Sequence, residues 1–123
     1  MPKKNIIVKI SDTENGEHKH ETIANFEEGY VEYMESDDCT TIFNYTNKTL
    51  KRENSRLIMD ATFKENEETE WLVTTKELDR TFPLKVKTTK LEIVDKNIKI
   101  NYTIEGIDFS YSLEVKEWVF IMN

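Results

Sequence analysis

His18 and His20 stand two apart in the stretch HKH. On an extended strand such residues share a face, so the two imidazoles would project together as a metal site requires. The neighbouring acids, Glu17 and Glu21, fall on the opposite face, and no third ligand follows at a suitable spacing. The pair therefore reads as solvent-facing histidines, and no metal or cofactor is assigned. Cys39 is the single cysteine, with no histidine near it in sequence and no C-x-x-C partner. A thiol nucleophile needs a base within reach, so Cys39 reads as a quiet, half-buried strand residue. Asp60, Asp79 and Glu92 carry carboxylates of the kind used in acid–base hydrolysis. With 24 acidic residues in the chain, however, two will meet by chance, and no catalytic residue is assigned. The run ENEETE, Glu65 to Glu70, lacks the alternating Asp/Asn ladder and central glycine of a calcium loop and reads as a solvated hairpin end. Arg80, Lys85, Lys87 and Lys90, with Lys76, make the one basic interval. Single-strand nucleic-acid binders interleave aromatics with such a stripe, whereas Trp71 and Phe82 share the apolar parity of their strands and read as core.

The elements that must carry these residues are strands. From Leu91 to Val115 the chain reads LEIVDKNIKINYTIEGIDFSYSLEV, placing Ile98, Ile100, Tyr102 and Ile104 on one face, then Ile107, Phe109, Tyr111, Leu113 and Val115. This alternation is the mark of a half-buried strand. It recurs in IIVKIS, HKHETIANFEE, CTTIFNY, TLKRE, RLIMDATFKE, EWLVTTKE, FPLKVKTT and LEIVD, the last two read as separate strands. Asn15-Gly16, Asp95-Lys96-Asn97 and Glu105-Gly106 supply turns. YVEYME, after Gly29, reads either as a short strand or as a single helical turn. Pro83 lacks a donor and belongs at a strand start or edge. The tail EWVFIMN extends the last strand, with Trp118, Phe120 and Met122 on one face, and needs cover from its own domain or from a second subunit. About 8–10 short strands form a sandwich or a barrel, and a barrel removes exposed edges.

Composition agrees. Apolar residues are 37% of the 123, low for a helical fold but enough for strands with one wet face. One domain over residues 1–123 is the sensible count. The lone cysteine and the absence of a signal-like start favour a reducing, cytoplasmic setting, and Ile6–Ile10 is too short for a membrane segment. A formal charge of −7 argues against non-specific binding to phosphate backbones or anionic lipid.

TTIFNY followed by TLKRE, and above all FPLKVKTTKLEIVDKNIKINYTIEG, resembles a family of small bacterial domains of unknown function, DUF1934 or YwiB-like, whose members look like relatives of the calycins. The residues concerned are Thr40, Thr41 and Ile42, then Leu50 and Arg52, then Leu84, Val86, Thr88 and Leu91, then Ile98, Ile100 and Tyr102. The resemblance implies an antiparallel, lipocalin-like β-barrel and carries over no catalytic residue. Two departures leave closure near Gly29 open: Glu53 and Asn54 stand where relatives place a glycine, and the interval from Phe26 to Cys39 is short.

The inward parity gathers Phe43, Tyr45, Phe63, Trp71, Tyr102, Phe109 and Tyr111. In a barrel these rings either fill the lumen or surround one small apolar ligand. The expectation is a non-enzymatic cytosolic barrel that binds a small, partly apolar molecule along this lining. The alternative is an interaction module with a solid core that meets a partner, such as a second copy, through its last strand or tail.

Overall fold

The computed structural model describes the backbone of residues 4–12 and 18–119, with side chains over 21–35 and 37–115. Ten strands follow one another: β1 (Lys4–Asp12), β2 (His18–Glu27), β3 (Tyr30–Ser36), β4 (Cys39–Asn44), β5 (Thr49–Glu53), β6 (Leu57–Thr62), β7 (Glu68–Thr75), β8 (Arg80–Val94), β9 (Asn97–Ile104) and β10 (Ile107–Val119). All pairings are antiparallel. From β2 to β10 each strand pairs with the next in the chain, and β1 pairs with both β2 and β10, so the sheet curls round until its ends meet. Among the described residues no helix is long and apolar enough to cross a membrane.

Alternation sorts side chains between the inner and outer faces, and the ladder turns that sorting into belts. Ala24, Tyr33, Thr41, Arg52, Met59, Val73 and Phe82 are successive cross-strand partners over seven strands. The next belt is Phe26, Val31, Phe43 and Leu50, followed by Ala61. Across the other wall run Leu91, Ile100 and Tyr111, then Ile93, Ile98 and Leu113. Most of these side chains are buried, with Phe43, Val31 and Ile100 fully so.

Residues 30–36 form a strand, settling the choice against a helical turn. Gly29 turns the chain at a φ of +86°, a region open to glycine without penalty. The Gly29 carbonyl accepts from the Tyr45 backbone N–H at 2.8 Å, so the β2–β3 turn is tied to the one after β4 and pairing is unbroken there. Asn15-Gly16 and the residues from Phe120 onward lie outside the described residues, and the Trp118 side chain does too.

Two expectations are corrected at β8. FPLKVKTT and LEIVD are parts of one strand, with a bulge between Thr88 and Lys90 in its pairing with β9. The extra residue flips the parity, so that Leu84, Val86 and Thr88 before it and Leu91 and Ile93 after it all face the core. Phe82, expected in the core, is 46% exposed. Residues 80–86 pair with β7 alone because β9 begins its pairing with β8 only at Lys87, leaving Phe82 on an overhang. Pro83 lies on that overhang, where its missing donor costs no ladder bond.

Candidate functional site

The seven rings singled out from the sequence all point inward, and most of them touch. Tyr45 packs edge-on to Phe43 at 5.2 Å between centroids, Phe43 meets Phe63 at 6.4 Å, and Phe63 meets Trp71 at 5.3 Å and Tyr102 at 6.3 Å. Trp71 and Tyr102 lie 5.0 Å apart, and Tyr102 stacks on Phe109 at 5.6 Å. This column crosses the interior from β4 to β10. Its polar tips are satisfied at the rim: Trp71 Nε1 donates to the Thr62 carbonyl at 3.1 Å and the Tyr45 hydroxyl to the Lys96 carbonyl at 2.9 Å. The Lys96 ammonium sits 4.7 Å from the Tyr45 ring centre. Burial holds the Tyr45 phenol well above its ordinary pKa.

Tyr111, the seventh ring, reaches toward β3 instead. Its hydroxyl lies 2.6 Å from that of Tyr33, both side chains being buried. Beside this pair the inner face is polar. Arg52 Nη2 donates to Glu35 Oε1 at 2.8 Å, and Cys39 Sγ donates to Glu35 Oε2 at 3.4 Å. Thr41 is fully buried, and its hydroxyl has no hydrogen-bond partner among the described residues. Burial, then the Glu35 carboxylate, pushes the Cys39 thiol up to about 11. It is protonated at neutral pH, the wrong state for a nucleophile.

A depression opens where β8 outruns β7. Their pairing ends at Glu68 and Lys87, and the loop before β7 folds over the continuing strand: Asn66 N–H donates to the Thr88 carbonyl at 2.8 Å, and Leu91 N–H donates to Glu65 Oε2 at 2.9 Å. Phe63, Leu91 and Ile93 form an apolar floor, and Lys48, Lys64 and Glu65 the rim, of a space of about 410 Å³. Of the seven rings only Phe63 lines it. The floor is core-facing side chain, joined through Phe63 to the aromatic column. Two other surface depressions are of similar size. One sets Val94, Ile98 and Leu113 among Glu92, Lys99, Ser112 and Glu114; the other is polar, lined by Asp38, Glu53, Asn54 and Lys76 among others, where Lys76 and Glu53 already pair at 2.8 Å.

The remaining candidates disperse. The side chains of His18 and His20 lie outside those described. Asp60 is exposed on β6 opposite Lys51, Asp79 sits in the β7–β8 turn, and Glu92 is exposed on β8 opposite Lys99. The basic interval faces acids. Lys85 lies opposite Glu70 and Lys87 opposite Glu68, so the lysines of this strand stand beside the end of the acidic run. Lys90 is 3.6 Å from Glu92. Sequence reasoning did not single out Glu35, which looks like a surface acid on a short strand, or Lys48 and Lys64, which look like ordinary loop lysines. Glu35 is placed by its contacts with Arg52 and Cys39, and Lys48 and Lys64 by the meeting of two turns, properties no local pattern carries. Comparison with protein-family models, curated proteins and solved structures finds no match to this chain.

Proposed function

We propose that the protein is a non-enzymatic, cytosolic binding module of lipocalin-like build that takes one small, partly apolar molecule at the mouth between β8 and the β6–β7 loop. The carrying observation is the apolar floor of Phe63, Leu91 and Ile93 beneath a space of about 410 Å³. Small-molecule sites are commonly concave, apolar and of about 300–1,000 Å³, with a few polar groups at the edge. Of the aromatic column only Phe63 meets the ligand, and the other rings, already in contact with one another, back it from within. The resemblance to DUF1934 and the calycins supports the fold part of this reading and, being analogy, adds little to the function part. The half-buried Cys39, its thiol held protonated, suits a reducing compartment and is a poor nucleophile.

Native mass spectrometry of the protein as purified from cells tests the reading. The expected result is a folded mass a few hundred daltons above the denatured mass, reduced to the bare chain in Ile93→Trp, which fills the mouth. Equal masses, together with no response of the Leu91 and Ile93 methyl resonances to a panel of small amphiphiles, overturn it. A second reading, a protein-interaction module with a solid core, draws on the continuous ring column and on the exposed Leu72, Leu78 and Phe82 of the β7–β8 hairpin. It gains if the native spectrum shows a clean dimer and no added mass.

A further inference from the structure

The mouth carries charge as well as an apolar floor, and the balance of that charge names a ligand class. We propose that it selects an amphiphile with a single anionic head and a short apolar arm, the head held by Lys48 and Lys64 and the arm lying on Phe63, Leu91 and Ile93. This rests on the mouth being the binding site.

The two lysines come from different turns and are brought together by backbone. The Phe63 N–H donates to the Lys48 carbonyl at 3.0 Å, so the β4–β5 turn is clasped to the start of the β6–β7 loop and Lys48 lies beside Phe63 and Lys64. Lys48 holds a φ of 55°, where Asn or Gly would sit with less strain. Neither ammonium has a carboxylate partner among the described residues, whereas Lys76, Lys90 and Arg52 each have one. Glu65 is the only acid in the lining, and one of its oxygens is taken by the Leu91 N–H. The rim is therefore locally positive on a chain of formal charge −7. Away from the mouth that charge repels anions, so only a ligand that also gains from the apolar floor is retained. A lysine is a flexible point charge with no planar fork, which fits one anionic head better than a bidentate, orientation-specific ligand.

The test uses decanoate and the neutral decanol as probes, titrated by calorimetry and by the Leu91 and Ile93 methyl resonances, on the parent protein and on Lys48→Met/Lys64→Met. The expected result is saturable binding of decanoate at those methyls, weakened roughly 5- to 10-fold in the double variant, as two solvent-exposed ion pairs would give. Decanol binding should change by less than about twofold, and added salt should weaken decanoate in the parent more than in the variant. If decanoate and decanol bind the parent alike and the variant changes neither, the mouth binds apolar molecules and the anion preference is overturned. If neither probe moves the methyls, the mouth is not a binding site and both readings fall.

Discussion

Tyr33 and Tyr111 stand 78 residues apart and meet through their hydroxyls at 2.6 Å in a buried setting. A neutral hydrogen bond of this kind contributes about 1 kcal/mol net, but stranding one buried hydroxyl costs about 1–3 kcal/mol. Tyr111→Phe, which takes this partner from the buried Tyr33 hydroxyl, should therefore destabilise the fold by about 1–2 kcal/mol, and Tyr33→Phe by about the 1 kcal/mol of the bond itself. The double variant should lose clearly less than the sum, because both single variants remove the same shared bond. Urea midpoints for the three variants give the coupling, and strict additivity would mean that the two phenols do not depend on each other. The inward parity of Tyr111 is legible in the sequence, and so is that of Thr41, whereas Tyr33 sits in a stretch that reads equally as a strand or a helical turn. The pairing of the two tyrosines is not legible, nor is the inward turn of Glu35 and Arg52. A charged residue on a strand is normally read outward, and the Arg52–Glu35 contact at 2.8 Å, with the Cys39 thiol on the same carboxylate, helps make their partial burial tolerable.

At the scale of elements, the overhang of β8 is the place where the sheet manages an edge. Residues 80–86 have a partner in β7 and none in β9, and Leu72, Leu78 and Phe82 are exposed nearby. Such an edge invites pairing with another chain, and proline with lysine is a usual defence. Pro83→Val restores the donor and adds a β-branched side chain, so it should self-associate at tens of micromolar more than the parent does, in about the manner expected of an unguarded edge. Light scattering reads this directly. Pro83→Lys, with the donor but also a charge, should stay closer to the parent. If Pro83→Val scatters no more than the parent, the edge is shielded in another way. The strand run itself was readable from period-two alternation, nearly element for element from Cys39 to Val115. The bulge after Thr88 was not. A one-residue slip looks like the end of one strand and the start of another, and only pairing with β9 shows that the chain continues.

The molecule as a whole buries phenols that its unfolded chain would expose, and this couples its stability to alkaline pH. Burial, then the neighbouring Tyr111, then Glu35 hold the Tyr33 phenol protonated well above its ordinary range, and burial does the same for Tyr45. In the unfolded chain both would ionise near pH 10. Below that pH both states hold the protons and nothing changes. Above it the unfolded chain releases protons that the fold retains, so unfolding becomes more favourable as pH rises. The slope is about 1.4 kcal/mol per pH unit for a phenol that stays fully protonated in the fold, and less for the partly wet Tyr45. Stability from urea titration should thus fall above about pH 10 on account of the phenols, up to their folded-state pKa, with a shallower decline beginning near pH 9 from the Cys39 thiol that the fold holds up to about 11. Lysines also titrate in this range, so the parent curve alone does not assign the cause. Tyr33→Phe does. It starts lower because the contact with Tyr111 is gone, but its alkaline limb should be shallower than the parent's by about one proton's worth. Parallel limbs would mean that Tyr33 is not the group whose proton the fold retains, and that the buried polar end of the interior admits hydroxide as readily as the unfolded chain does.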